Sequence, residues 1–397
     1  MPIALEFVLF ALTLVAVALF HRRTLMAAAA GLAAIAGYKL LFADFAGHPG
    51  FAGLVLHLRH EWVEVSNLGL LLLGFSLLSR HFEQSQLPER APDILPDDWT
   101  GGLALLAWVF VASGFLDNIA AALIGATVAA HVFRKRVHIA FLAAIVAAAN
   151  AGGAGSVVGD TTTTMMWIAG KSPLDVLRAY VGAIAAFVVL ALPAALIQQR
   201  HAPIVKHDVG GVVVDWGRVA IVVLLLASVV AANVAANLFA PHLLHAVPVI
   251  GLALWVALFL TAPLRAPDWA VLPESAKGAA FLLSLVLAAS MMPVEQLPPP
   301  SWESTLALGF VSAVFDNIPL TALALQQGGY DWGMLAFAVG FGGSMLWFGS
   351  SAGVAVSGLF PEAKSAINWL RAAWFVPLAY VVGYFVQLAA MGWRPYS

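Results

Sequence analysis

Three carboxylates lie inside otherwise apolar stretches, within patterns that recur along the chain. Ser-x-x-x-Asp-Asn-Ile covers Ser113 to Ile119 and again Ser312 to Ile318. Gly152-Gly153-x5-Gly159-Asp160-Thr161 is matched by Gly342-Gly343-x5-Gly349-Ser350-Ser351. The carboxylates of Asp117, Asp160 and Asp316 join the amides of Asn118, Asn150 and Asn317 and the hydroxyls of Thr161, Thr162, Thr163, Ser350 and Ser351. Together they form a set of hard oxygen donors, which suits a small hard cation. An Asp at the centre of a spanning helix costs roughly 2.5–3.5 kcal/mol on insertion scales. An intramembrane carboxylate is therefore a functional residue by default. The competing account is local. Each acid would merely cap the helix that follows it, and the glycines would serve close helix packing. Capping and ion binding are compatible. The glycine run is expected to interrupt the helix from Asn150 to Asp160 and to free backbone carbonyls as ligands.

The elements that must position these groups follow from composition. Charged residues make up 10% of the 397-residue chain and hydrophobic residues 62%, where a soluble domain carries about 25% charged. The chain reads as a polytopic membrane protein, which excludes the soluble, disordered and secreted disulfide-rich classes. A net charge of −2 gives no footprint for nucleic acid. With no cysteine there is no thiolate metal site. The N-terminal Met-Pro-Ile-Ala-Leu-Glu-Phe lacks a positive leader and reads as the first spanning helix. Full spans fit 2–20, 24–46, 62–79, 139–168, 174–198, 217–239, 241–262, 276–293, 333–358 and 366–391. Stretches 101–133 and 302–327 carry the Asp-Asn pairs near their middles and read as re-entrant hairpins. Irregular backbone at that depth is tolerated only inside protein or beside a cavity.

The fold class expected is an all-α membrane protein of two inverted repeats, each with five transmembrane helices and one re-entrant hairpin, with helices interrupted at the midplane. Residues 1–200 form the first repeat, with hairpin 101–133 and broken helix 139–168. Residues 201–216 form a cytoplasmic linker, and 217–397 the second repeat, with hairpin 302–327 and broken helix 333–358. Five crossings per half start the second half on the opposite side, which is what inverts it. Repeats of this kind place a substrate site near the midplane. Of the 19 basic residues, only Lys39, Arg59, Lys171, Arg178 and Arg394 fall on the side of the termini. The positive-inside rule then puts both termini outside, on the periplasmic face of a bacterial inner membrane. Secondary features are read as follows. His57, His60, Glu61 and Glu64 form a solvated interfacial cluster. Arg134-Lys135-Arg136, flanked by His131 and His138, is a topology anchor. Pro298-Pro299-Pro300 is a stiff linker.

Asn150-Ala-Gly-Gly-Ala-Gly-Ser-Val-Val-Gly-Asp160-Thr-Thr-Thr-Thr-Met-Met-Trp-Ile168 resembles the signature of NhaD-type sodium/proton antiporters. The two Asp-Asn pairs and Gly340-Phe-Gly-Gly-Ser-Met-Leu-Trp-Phe-Gly-Ser-Ser-Ala-Gly-Val354 resemble that family too. The wider group is the ion transporter superfamily, which includes arsenite permeases and citrate or dicarboxylate carriers. The resemblance implies that Asp117, Asn118, Asn150, Asp160, Thr162, Thr163, Asp316 and Asn317 take part in ion binding. Sodium would be held by Asp117, Asn118, Asp160, Thr162 and Asp316. It further implies exchange of sodium, or lithium, for protons by an elevator movement in a homodimer, with no cofactor besides the transported ions. Val157 stands where family members often have Pro, and the chain is rather short. The runner-up is a sodium- or proton-coupled anion carrier (citrate, dicarboxylate or arsenite) of the same superfamily. Asp117 and Asp316 would repel an anion unless sodium bridged it. An intramembrane aspartyl protease would need two carboxylates sharing a proton and leaves the second Asp-Asn pair without a role, so no enzyme is expected.

Overall fold

The computed structural model describes residues 4–20, 23–45, 47–87, 95–157, 159–204, 213–240, 243 and 246–395. Arg22, Arg90, Val158, Lys206 and residues 205–212 of the expected linker lie outside the described residues.

Helices follow one another along the chain, as a lipid-exposed backbone requires. α1 (Leu5–Leu19) and α2 (Thr24–Phe42) lead to a two-residue β-ribbon, β1 (Asp44–Phe45) with β2 (His48–Pro49), and then to α3 (Gly50–Gln84). α4 (Trp99–Ser113) and α5 (Asn118–Val132) are separated by residues 114–117. α6 (Ile139–Ala154) and α7 (Thr161–Ile168) flank the first glycine break. α8 (Pro173–Leu177), α9 (Ala179–His201), α10 (Trp216–Phe239), α11 (Val249–Thr261) and α12 (Leu272–Ser290) follow. α13 (Trp302–Ser312) and α14 (Asn317–Gln327) are separated by residues 313–316. α15 (Trp332–Gly342), a 3-10 turn at Gly343–Met345, and α16 (Ser351–Leu359) carry the second break. α17 (Ala366–Ala372) and α18 (Phe375–Met391) close the chain. Every expected span holds helix, and the protein is a multi-pass, all-α membrane protein.

Two details differ from expectation. Residues 366–391 are not one straight span but two helices bent by 64°. Pro377 has no N–H to give the carbonyl of Ala373, so the helix parts there. The third span, expected at 62–79, runs from 50 to 84, 35 residues or about 52 Å, because its polar residues remain helical.

The chain forms two compact units. The first comprises residues 1–81, 220–298 and 318–327. Within it Asn67 of α3 accepts from the backbone N–H of Gly251 at 2.8 Å, and the Trp255 indole donates to the Leu70 carbonyl at 2.9 Å. Lys39 is buried and donates to the carbonyl of Met291 at 2.8 Å, at the end of α12. His57 pairs with Ser290 at 2.9 Å, and Glu61 is only 6% exposed. The cluster expected to be solvated is thus split: His60 and Glu64 are exposed, whereas Glu61 turns inward.

The second unit comprises 82–219, 299–317 and 328–397. Its core is α6 and α15, one from each half of the chain. Every residue of α6 from Ala140 to Ala154, and every residue of α15, is buried. Both are apolar almost all round, as fully enclosed helices are. α9 and α18 pack on one another, and α4 and α13 pack on α6 and α15 respectively.

Candidate functional site

All the candidate ion-binding residues named from the sequence fall in the second unit. They gather where α5, α7, α14 and α16 begin. Asp117 caps α5, its carboxylate accepting from Ile119 N–H at 2.8 Å. Asp160 caps α7, accepting from Thr162 N–H at 3.2 Å and from the Thr162 hydroxyl at 2.9 Å. Ser350, at the matching position of the second break, caps α16 by accepting from Gly353 N–H at 3.2 Å. Capping therefore explains part of each polar position. It does not explain why two of these caps are acids within an apolar unit.

The side chains then reach across the halves. Asn317 Nδ2 points to Asp160 Oδ2 at 3.5 Å. Asn118 Nδ2 donates to Asn150 Oδ1 at 3.2 Å, and Asn150 Nδ2 donates to Ser344 Oγ at 2.9 Å and Ser350 Oγ at 3.1 Å. Ser351 donates to Asp316 Oδ2 at 3.0 Å. Asp117 and Asp316 are close enough to act on Asp160 electrostatically. Asn150 is completely buried and Asp160 is 2% exposed. Among the described residues no three acids or histidines are spaced to hold a metal together.

The glycine break is shorter than expected. α6 continues through Asn150, Gly152 and Gly153 and ends only at Ala154, because Gly152 is used for contact. A Cβ at Gly152 would lie 1.9 Å from the Phe110 carbonyl oxygen, and one at Gly342 would lie 2.2 Å from that of Gly309. Small residues let the helices touch backbone to backbone. The expectation that the helix opens at Asn150 is thereby corrected. The freed carbonyls lie later, and hydroxyls occupy them: Thr163 donates to Ser156 O at 2.5 Å, and Thr164 to Val157 O at 2.9 Å. Thr161 is the first residue of α7.

Besides Ser344, which accepts from Asn150, four supporting residues lay outside the site set. Ser113 donates to Ala149 O at 2.6 Å, and Ser312 donates to Val339 O at 2.7 Å. These carbonyls sit at equivalent places, each three residues before the Gly-Gly pair of its half, and the repeated serine was the available signal. Ser156 ties the break to the Gly114 carbonyl at 2.6 Å, and the Tyr180 hydroxyl ties down Gly152 O at 3.0 Å. Nothing in the sequence marked those two.

No family model matches the chain. Curated relatives do. Sodium/proton antiporter 1 of Arabidopsis thaliana is 30% identical over 79% of this chain and 60% of its own length. The chain thus spans about three fifths of that relative's length. Sodium/proton antiporter 2 of the same plant is 28% identical over 76% of this chain and 80% of itself. Na(+)/H(+) antiporter NhaD of Alkalimonas amylolytica is 27% identical over 84% of this chain and 78% of itself. The resemblance seen at the two breaks extends over most of the sequence, and by sequence the chain is related to the NhaD-type sodium/proton antiporters.

Proposed function

We propose that the protein is a secondary transporter that exchanges sodium, or lithium, for protons. The observation that carries this reading is Asp160. It is a buried carboxylate at a helix break, with the Thr162 hydroxyl on one side, Asn317 from the other half of the chain on the other, and two further acids within electrostatic range. Three carboxylates in a low-dielectric unit repel one another and lose hydration. They need compensation, by a proton or by a cation. Sodium bound at Asp160 would draw on Thr162 and on Asn317, whose amide presents Oδ1 once rotated. Asp117, Asn118, Asn150 and Asp316 complete the polar surroundings. Protonating the acids removes the charge that holds the ion. An empty, fully charged site is costly to carry through the bilayer, so only loaded or protonated forms cross. The names of the relatives support the same cargo.

The wider arrangement belongs to the proposal as well. The paired breaks are consistent with two inverted repeats, 1–200 and 217–397, whose hairpins are re-entrant. The second unit would be the part that moves, elevator fashion, in a homodimer of a bacterial inner membrane with both termini outside. No cofactor beyond the transported ions is invoked. The reading is tested in proteoliposomes by dequenching of a pH-sensitive dye after addition of sodium, lithium, potassium, citrate and arsenite in turn. Dequenching by sodium or lithium alone is expected. A response to citrate or arsenite without one to sodium would replace it with the anion-carrier reading.

A further inference from the structure

The far end of α5 carries a feature that ion exchange does not use. The helix closes with a Schellman-type turn: Lys135 N–H donates to the Ala130 carbonyl at 2.6 Å and Arg134 N–H to the His131 carbonyl at 3.2 Å. Such turns put a left-handed residue after the helix, and that residue is usually glycine. Here two successive long side chains take that conformation, Arg134 with φ 52° and Lys135 with φ 61°. Gln86 is the one other non-glycine residue with positive φ among the described residues. Strained backbone of this kind persists where the surroundings hold it, and it concentrates at binding sites.

The turn borders an open surface groove of about 470 Å³ lined by Thr127, Ala130, His131, Arg134 and Lys135. Its lining divides by chemistry along the chain. One part is apolar: Ala130, and Thr127, whose hydroxyl is already donated to the Leu123 carbonyl at 2.8 Å. The other is cationic: Arg134 and Lys135 are exposed, and no described carboxylate forms an ion pair with either. The third basic residue of the run is engaged elsewhere, Arg136 donating to the His201 carbonyl at 3.3 Å. Cationic groups also face the negative end of the α5 dipole, which holds them in place. A site that is apolar in one part and doubly cationic in the other, at the end of a membrane helix, fits a ligand with an acyl chain and a phosphate.

We propose that the groove at Thr127, Ala130, His131, Arg134 and Lys135 binds an anionic phospholipid. Arg134 and Lys135 would hold the headgroup phosphate, and the start of an acyl chain would lie along Thr127 and Ala130. The binding is independent of which ion the protein carries.

The test uses the full chain purified in a neutral detergent and native mass spectrometry with dioctanoyl phosphatidylglycerol or dioctanoyl phosphatidylcholine. The wild type should retain phosphatidylglycerol in clear preference to phosphatidylcholine. Each basic residue near an anionic headgroup is worth roughly fivefold in binding, so the double variant Arg134→Gln, Lys135→Gln should lose at least about tenfold in retention. Lys277→Gln, which removes an exposed lysine paired with Glu274, should retain the lipid normally. Equal retention by the double variant overturns the proposal. So does equal retention of phosphatidylcholine, which would mark a merely apolar groove. Full displacement by an equal concentration of inorganic phosphate overturns it too, because the ligand would then be a free anion. Should the double variant fail to fold, the wild type decides. Raising sodium chloride from about 0.05 to 0.5 M should release phosphatidylglycerol by screening, and retention unchanged by salt overturns the proposal.

Discussion

The two breaks share their scaffolding and differ in charge. In each, a serine of the preceding helix pair holds a carbonyl of the buried helix, Ser113 to Ala149 and Ser312 to Val339. In each, a glycine lets that helix touch a neighbouring backbone, Gly152 at Phe110 and Gly342 at Gly309. At the cap of the second helix the symmetry stops. The first half has Asp160 and the second Ser350. Both satisfy the N-terminal N–H groups of their helices, so architecture alone does not require the acid. The difference teaches which acid the fold does not need: Asp117 and Asp316 recur with the repeat, whereas Asp160 stands where the other half caps its helix with a neutral serine.

The largest effect should come from neutralising that residue. Asp160→Asn keeps the cap but removes the charge. It should weaken apparent sodium affinity about ten- to hundredfold, as expected for a contact to a charged group worth about 1.5–3 kcal/mol. Ser350→Ala removes a neutral contact and should cost no more than about tenfold. Comparable losses in sodium-driven proton efflux for the two variants would erase the distinction between the breaks.

Asp117→Asn sharpens the same point within one half. Asn caps helices about as well as Asp, so thermal stability in detergent should stay near that of the wild type while exchange falls severalfold. Normal exchange in a folded Asp117→Asn protein would reduce Asp117 to a cap. Asp316→Asn should behave alike, since Ser351 can still donate to the amide oxygen.

The shared scaffolding makes weaker, symmetrical demands. Gly152→Ala and Gly342→Ala each push a methyl into a carbonyl, and overpacking costs about 1–3 kcal/mol. Both should lower the unfolding temperature in detergent by similar amounts, and an effect confined to one half would mean that the two contacts are not equivalent. Smallest of all, Ser113→Ala and Ser312→Ala should each cost about 1 kcal/mol, seen as faster amide exchange in α6 and α15.

Much of this was legible in the sequence for physical reasons. The apolar spans follow from the cost of burying charge, and the candidate residues were picked out as acids placed where that cost is highest. The limits of the break were not legible. Glycine both weakens a helix and permits close packing, and at Gly152 packing prevails, so α6 reaches Ala154 and keeps Asn150 helical. Ser344, Ser156 and Tyr180 act through contacts between distant segments that no local pattern marks. The bend before α18 was not read from the sequence: Pro377 withholds an N–H from Ala373, but it lies inside an unbroken apolar run that reads as one span. The inward turn of Glu61 depends on packing between distant segments, which no local pattern marks.

Shared use of one site by sodium and protons is the central claim, and the pH dependence of sodium affinity tests it most directly. In proteoliposomes, sodium half-saturation should be measured from about pH 6 to 9, the range in which groups that trade protons near neutrality must titrate. Competition predicts that apparent affinity weakens as pH falls, by up to about tenfold per unit, while the maximal rate at saturating sodium changes little. Asp160→Asn should lose that dependence along with its affinity. A wild-type sodium affinity that stays flat across the range would contradict the shared site.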